Sequence, residues 1–324
     1  MLQLKSPPEQ QHDSPFDLHD DGAYRAWRAT KLQNYSRDAQ TLVVEINDPL
    51  QVSTHEHAAI RQRIAACNMA IFALAQPLNK ITFTRFCGQF GLTHLDKNLC
   101  ADDDGISELR VIPEGRQESR SGVSRTSAIP GGRPQEYIPY SNKPINWHTD
   151  GYYNAPDRLI RAMVLHCVQA AARGGANALL DHELVYLMLR DADPEFVAAL
   201  MHPHCMTIPA NVENGVEIRA AQTGPVFSVD SVDGYLHMRY TARTRSIVWR
   251  DDFTTRAALQ KLEALLTSEH TPIFQHRMQP GQGILCNNVL HTRTGFDDDA
   301  SAQRLVLRAR YYDRIHANST DTSA

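Results

Sequence analysis

From Glu108 onward the sequence breaks into short runs of β-type residues, and this pattern restricts the fold more than any other feature. Pro, Gly, Asn or Asp bounds most of the runs, which include residues 145–153, 161–168 and 304–312. Many short strands at this spacing are typical of a β-sandwich or jelly roll. Two stretches with helical apolar periodicity, residues 182–201 and 252–268, predict helices inserted into the series.

The first third of the chain mixes helix and strand. Three stretches predict helices, namely residues 20–35, 54–67 and 81–90. Two stretches predict strands, namely residues 41–46 and 69–75. Ser53 or Thr54 supplies the N-cap of the second helix. The whole pattern indicates an α/β protein with a mainly β core.

Both ends of the chain are polar and rich in Pro, Ser or Asp, which predicts a disordered arm over residues 1–20 and a flexible tail over residues 317–324. Residues 21–316 show no internal repeat and no obvious boundary, so we expect one domain. Within it, residues 114–136 are rich in Gly, Ser, Arg and Pro and predict a long loop. This loop is either a mobile lid over the active site or an idle surface insertion.

The net charge of -4 and the pI of about 6.4 provide no basic field that would hold nucleic acid or an anionic membrane surface. The six cysteines are scattered without a C-x-x-C pair, which favours a reducing compartment. The sequence shows no signal peptide and no apolar stretch of the roughly 20 residues that span a membrane. We expect a cytoplasmic protein, and a homo-oligomer is compatible with the sequence.

The run INWHTDGYY contains a candidate metal site. His148 and Asp150 are two residues apart, and residues i and i+2 of a strand face the same side. A second imidazole, that of His291, ends the strand-like run at residues 283–291. Two histidines and one carboxylate on one face of an octahedral metal leave three positions open, as in non-haem Fe(II) oxygenases. An H-x-D pair alone also occurs often by chance.

The run RLVLRARYY alternates in character. One face would carry Arg304, Val306, Arg308 and Arg310, and the other Leu305, Leu307, Ala309 and Tyr311. Guanidinium groups that are buried without anions lose their hydration, so a dicarboxylate ligand would suit an inward-facing set. The alternative is a solvent-facing edge strand whose arginines pair with Asp297, Asp298 or Asp299.

Four motifs occur in order over residues 40–313: N-W-H-T-D before an aromatic pair, G-G, N-N-V-L-H-T-R-T-G-F and Q-R-L-V-L-R. This set resembles the taurine dioxygenase-like family of Fe(II)- and 2-oxoglutarate-dependent oxygenases. The resemblance implies a double-stranded β-helix, or jelly roll, with flanking and inserted helices. It implies that His148, Asp150 and His291 bind the iron. Related halogenases lack the carboxylate ligand, so Asp150 disfavours halogenation.

The resemblance also implies Fe(II) as cofactor and 2-oxoglutarate and O2 as cosubstrates. Arg304 and Arg308 match the family's arginines that contact the carboxylates of 2-oxoglutarate. Asn177 stands where the family has a threonine that binds the same cosubstrate, and its amide can donate a similar hydrogen bond. The implied reaction is oxidation of an unactivated C–H bond of a small-molecule substrate, by hydroxylation, with succinate and CO2 as coproducts.

Three further residues are candidates for substrate contact, and for each a structural interpretation is at least as good: Arg310, Asn146 and Tyr152. A run of arginines, Arg239, Arg243 and Arg245, could face solvent entirely. Two alternatives to hydroxylation stay open at this point. The same iron site supports desaturation or cyclisation, and a β-barrel with these residues could be a non-catalytic metal-binding module.

Overall fold

The computed structural model describes residues 14–97, 104–111, 138–213, 215–231, 233–243 and 247–317. The loop expected at residues 114–136 lies outside these ranges, as does the tail beyond residue 317. Of the arm expected over residues 1–20, the last seven residues are described, and there Phe16 is buried against Trp27 and Tyr186. The domain boundaries stay predictions.

The helices of the described residues are α1 Asp21–Asn34, α2 Thr54–Cys67, α3 Lys80–Gly88, α4 His182–Ala192, α5 Pro194–Leu200 and α6 Phe253–Thr267. Ser53 caps α2 in a reciprocal capping box with Glu56, as its sequence indicates. The single helix expected at residues 182–201 is two helices. Asp193 ends α4 and caps α5, and Pro194 begins α5 because its missing N–H is not needed there.

The first strands are β1 Val43–Glu45, β2 Met69–Ala73, β3 Ser107–Leu109, β4 Ile145–His148, β5 Ala162–Gln169, β6 Arg173–Gly174, β7 Asn177–Leu180, β8 Met206–Ile208, β9 Asn211–Glu213 and β10 Val216–Arg219. They are followed by β11 Gln222–Gly224, β12 Phe227–Val229, β13 Leu236–Met238, β14 Val248–Trp249, β15 Phe274–His276, β16 Gln282–Cys286, β17 Leu290–Arg293, β18 Phe296–Asp297 and β19 Leu305–Tyr311. None of the helices in the described ranges is long and apolar enough to cross a membrane.

Two sheets form the core. The major sheet has the order β1-β2-β16-β5-β19-β3 and the minor sheet the order β15-β7-β17-β4. All their pairings are antiparallel except the pairing of β1 with β2. The strand order brings together segments that are far apart in the chain, as in a jelly roll. The predicted fold class is therefore confirmed.

Alternating residues of the major sheet pack on opposite sides. Ile71, Leu165 and Ile284 point toward the minor sheet and share a core with its Leu179 and Phe274. The intervening residues Phe72, Val164 and Leu285 pack on α2 and α3 through Ile60 and Phe83. Helices α4, α5 and α6 cover the other side of the minor sheet. Helices thus cover the outer face of each sheet.

Strand β19 lies inside the major sheet, between β5 and β3, so the interpretation as an edge strand is wrong. Leu307, Ala309 and Tyr311 pack in the core on the helix side. Because side chains alternate along a strand, Arg308 and Arg310 point into the space between the sheets. A register shift at Leu305 and Val306 interrupts the regular alternation near Arg304.

Two predicted strands are shorter than expected. The run at residues 283–291 is divided between β16 in the major sheet and β17 in the minor sheet. The chain changes sheet at Asn287 and Asn288, and Asn288 adopts a left-handed conformation with φ of 49°. The run at residues 145–153 forms a strand only up to His148 and then turns.

Candidate iron centre

His148 and His291 lie opposite each other in the antiparallel pair of β4 and β17. Their ring centroids are 4.1 Å apart. In each residue Nδ1 bonds the backbone carbonyl two residues earlier, at 2.8 Å to Asn146 and 3.0 Å to Val289. Because each Nδ1 donates its hydrogen to a carbonyl, both Nε2 atoms are left without a hydrogen and can bind a shared ligand. This is the usual orientation of metal-binding histidines.

Asp150 reaches the same point from a turn, so the reasoning from strand alternation does not describe how it gets there. Asn288 holds the turn: its Oδ1 accepts from the Asp150 backbone N–H at 2.8 Å, and its Nδ2 donates to the carbonyls of Asp150 and Ile160. Gly151 continues the turn at φ of +67°, where a Cβ would lie 2.4 Å from a carbon of Ile160. Side-chain and backbone constraints together aim the carboxylate.

One ligand atom from each of His148, Asp150 and His291 lies within 4.8 Å of the others. Asp150 and His291 are buried, His148 is half-buried, and Oδ2 of Asp150 is buried without a hydrogen-bond partner. A buried carboxylate oxygen without a partner is costly unless a ligand meets it. Two imidazoles and one carboxylate suit Fe(II) and leave open positions on it, so the residues fit the metal that the sequence predicts.

The protonation states also fit a metal. Burial, and then His291, lower the pKa of His148 to about 3, and burial lowers the pKa of His291. Burial alone would raise the pKa of Asp150, but Arg308, Arg310 and the two histidines lower it below its ordinary value. The centre therefore presents two neutral imidazoles and one anionic carboxylate, which are the forms that bind metal.

Arg308 lies directly beside the triad. Its Nη1 is 3.3 Å from Oδ1 of Asp150, and its Nε is buried without a partner. Arg293 follows His291 by two residues and is buried as well. Burial, and then Arg304 and Arg308, lower the pKa of Arg293 to about 9. Three guanidinium groups therefore share one region, and Asp150 is the carboxylate that contacts Arg308 there.

Arg304 and Arg293 both lie against the ring of Phe296, with Cζ 5.0 and 4.9 Å from its centroid. Nη1 of Arg304 donates to the Leu109 carbonyl at 3.4 Å, which is a weak contact. Asn177 is buried, and its Nδ2 already donates to the Thr292 carbonyl at 2.9 Å while Oδ1 has no partner. One of the two N–H groups of Nδ2 is thus in use, and the role of Asn177 stays a prediction.

The three candidates for substrate contact differ. Arg310 is almost fully buried, forms an ion pair with Asp96 and donates to the Tyr153 hydroxyl at 2.9 Å. Tyr152 follows the turn that carries Asp150, and Asn146 is exposed near the start of β4. The structural interpretation of Arg310 agrees with its ion pair, and the other two residues remain near the triad.

The chain belongs to a known class of enzymes, as comparisons with other proteins show. The taurine catabolism dioxygenase TauD, TfdA family matches residues 28–310. A uridine-5'-phosphate dioxygenase of an Amycolatopsis species is 31% identical over 53% of this chain, and the aligned part spans 62% of that relative. A uridine-5'-phosphate dioxygenase of a Streptomyces species is 30% identical over 67% of this chain and 77% of that relative.

Among solved structures, a taurine dioxygenase from Burkholderia xenovorans matches with a TM-score of 0.51 and 17% identity, over 84% of this chain and 89% of that one. This likeness supports the jelly-roll fold. The family match covers most of the chain, and it defines the class of the protein as the non-haem iron oxygenases. The chain is a member of the TauD, TfdA family, and thus an Fe(II)- and 2-oxoglutarate-dependent dioxygenase that uses O2.

Sequence reasoning gave no role to three residues that shape the centre: Asn288, Arg293 and Asp96. Two of them lie inside the quoted motif N-N-V-L-H-T-R-T-G-F. The signal for Asn288 was an Asn pair before a candidate ligand, since Asn tolerates the left-handed conformation. The signal for Arg293 was its i+2 spacing from His291. Asp96 carried no local signal, because its partner Arg310 is 214 residues away.

Proposed function

We propose that this enzyme binds Fe(II) through His148, Asp150 and His291 and hydroxylates an unactivated C–H bond of a small molecule. The observation that carries the proposal is the convergence of the three ligand atoms around the unpartnered Oδ2 of Asp150. When bound there, iron with 2-oxoglutarate and O2 supplies the oxidising power and yields succinate and CO2. The chain's own residues orient the ligands and exclude water.

The cosubstrate would be held by the arginines between the sheets. Arg308 has an unpartnered Nε, and its neighbours Arg293 and Arg304 make the region cationic. A dicarboxylate would neutralise these charges, and the planar guanidinium fork matches a carboxylate. A module that only binds a metal has no use for such a cluster, which supports the enzyme over the non-catalytic alternative.

For the substrate we propose a nucleoside 5'-phosphate. Two relatives of about 30% identity are named for uridine 5'-phosphate, and the Streptomyces relative aligns over 67% of this chain. Hydroxylation is the outcome we favour over desaturation and cyclisation, and product analysis distinguishes the three. The five described cysteines are buried free thiols, which supports a reducing, cytoplasmic location.

The test is anaerobic reconstitution with Fe(II) and 2-oxoglutarate. We expect the weak visible charge-transfer band of an iron-bound keto acid. Asp150→Ala and His291→Ala should abolish the band because each removes one of the three ligands. His276→Ala is the matched control, since His276 bonds Gln282 instead and should leave the band unchanged.

Oxygen is then admitted, and succinate, CO2 and the fate of uridine 5'-monophosphate are measured. Succinate release that rises with uridine 5'-monophosphate, together with a hydroxylated product, is expected. Full iron affinity in both Asp150→Ala and His291→Ala would show that the ligands have been misassigned.

A further inference from the structure

Two tyrosines follow the turn of Asp150, and arginines surround them. The hydroxyl of Tyr152 accepts from Nη1 of Arg243 at 3.1 Å. The guanidinium of Arg219 lies 5.7 Å from the ring centroid of Tyr153. The two rings contact each other edge to face, with centroids 5.1 Å apart. Two arginines from different parts of the chain thus contact the two tyrosines that follow Asp150 in the sequence.

Backbone contacts fix Arg243 relative to the centre. Thr241 forms a β-bridge with His148, and the Ala242 N–H donates to the Trp147 carbonyl at 2.7 Å. The segment that carries Arg243 therefore runs beside β4, the strand of a candidate iron ligand. Arg219 is held from the other side, where its Nη2 donates to the Pro209 carbonyl at 2.9 Å.

Arg239 holds this arrangement together. It is buried, and it donates to the carbonyls of Tyr152 at 2.7 Å, Met206 at 3.1 Å and Gln222 at 2.7 Å. The expectation that it faces solvent is wrong, because carbonyl groups from three segments converge on it. Arg243 is exposed, as expected. Arg245 lies outside the described residues.

The charges of Arg219 and Arg243 are not balanced locally. In the ranges that the structure describes, neither arginine forms an ion pair with Asp or Glu. Burial, and to a much smaller extent Arg243, lower the pKa of Arg219; Tyr152 and Tyr153 partly offset this effect, and no carboxylate does. Arg310, which donates to the Tyr153 hydroxyl, differs because it is paired with Asp96. A half-buried cation beside an exposed one, with no carboxylate paired to either in the described ranges, favours an anionic ligand.

We propose that Arg219 and Arg243, with the hydroxyl of Tyr152, form the subsite that binds the phosphate group of a phosphomonoester substrate. This proposal rests on the proposed function and names the group that its substrate must carry. Two guanidinium groups match the charge of about -2 on a phosphomonoester near neutral pH, and their forks suit its oxygens. A phosphate held there would lie beside the candidate iron centre, and the rest of the substrate would extend toward that centre.

The test measures binding by calorimetry on anaerobic enzyme loaded with Fe(II) and 2-oxoglutarate, which cannot turn over. Uridine 5'-monophosphate should bind at least tenfold more tightly than uridine. Arg219→Gln and Arg243→Gln should each weaken uridine 5'-monophosphate at least tenfold and leave uridine and the charge-transfer band unchanged. Arg25→Gln, on the exposed side of α1, is the matched control and should change none of these.

Each outcome is decisive. Unchanged affinity for uridine 5'-monophosphate in both variants would overturn the subsite. A wild-type enzyme that forms the charge-transfer band but binds no nucleoside 5'-monophosphate better than its nucleoside would also overturn it, while the iron centre would stand. If no band forms and the binding of uridine 5'-monophosphate still depends on Arg219 and Arg243, the subsite stands and the proposed iron centre fails.

Discussion

Arg308 and Arg310 lie two residues apart on one face of β19, yet their surroundings differ. Arg310 and Asp96 are each about 2% exposed and form an ion pair, and the Tyr153 hydroxyl accepts a further hydrogen bond from Arg310. Arg308 has one contact of 3.3 Å with Asp150, which also faces the candidate iron centre. Its Nε has no partner.

This difference separates a structural arginine from one that awaits a ligand. A buried charge with a close counter-charge is stable only while both partners are present. A buried charge with a weak contact and cationic neighbours, such as Arg293 beside Arg308, gains when an anion binds. The pKa of Arg310 is accordingly raised, chiefly by Tyr153, Asp150 and Asp96 against the effect of burial.

The largest effect should come from breaking the ion pair of Asp96 and Arg310. Asp96→Ala leaves the buried charge of Arg310 without its ion-pair partner, and we expect a loss of about 3–5 kcal/mol in the free energy of unfolding. Chemical denaturation measures this loss. Asp251→Ala breaks an exposed pair with Arg256 and should cause no measurable loss.

The double variant Asp96→Ala with Arg310→Met removes both charges and should recover part of the lost stability, since an apolar side chain of similar length needs no counter-charge. If Asp96→Ala alone unfolds at the denaturant concentration of the wild type, the ion pair of Asp96 with Arg310 does not stabilise the fold. Arg310 is then not the structural arginine of the two.

The second-largest effect should come from Arg308, whose Nε has no partner. Arg308→Ala should lower the affinity for 2-oxoglutarate more than tenfold, because removing a charge-assisted contact to a carboxylate costs about 2–5 kcal/mol. The affinity for Fe(II) should fall far less. Titration of the charge-transfer band and the rise in melting temperature on addition of 2-oxoglutarate report the change independently.

Arg173→Ala is a matched control for this measurement, because Arg173 is an exposed arginine paired with Asp297. It should leave the affinity for 2-oxoglutarate unchanged. An Arg308→Ala enzyme that binds 2-oxoglutarate as tightly as the wild type would place the carboxylate contact elsewhere in the molecule.

The same strand shows how far sequence reasoning reaches. The alternation of Arg and apolar residues in β19 is local, so the sequence predicts correctly that Arg308 and Arg310 share a face. The ion pair of Arg310 with Asp96 depends on a contact 214 residues apart in the chain, and no local pattern shows it. Sequence therefore predicts which way both arginines point, while only the structure separates their roles.

The candidate iron centre gives the opposite case. The sequence predicts the convergence of His148 and Asp150 from strand alternation, but the strand ends at His148 and Asn288 aims the carboxylate. The apolar residues on both sides of Asn288 read as one strand, because periodicity does not show where a chain passes from one sheet to another. A left-handed Asn can end a strand without any break in hydrophobicity.

The smallest effect should come from Arg293, whose contacts resemble those of Arg310 in part and those of Arg308 in part. Its Nη groups donate to the carbonyls of Pro139, Ser141 and Lys143, whereas its Nε has no partner. Arg293→Met should lower the affinity for 2-oxoglutarate only about threefold, or roughly 0.7 kcal/mol, since most of its donors are already in use. It should also cost about 1 kcal/mol of stability, because water can replace the donors at carbonyls that are only partly buried.

Arg293→Lys separates the two effects, because it keeps the charge and loses the planar fork. We expect 2-oxoglutarate affinity close to that of the wild type in Arg293→Lys, with a loss of stability similar to that of Arg293→Met. The same titration and denaturation measurements apply. A tenfold or greater loss of 2-oxoglutarate affinity in Arg293→Lys would mean that the fork of Arg293 contacts the cosubstrate directly, and Arg293 would then belong with Arg308.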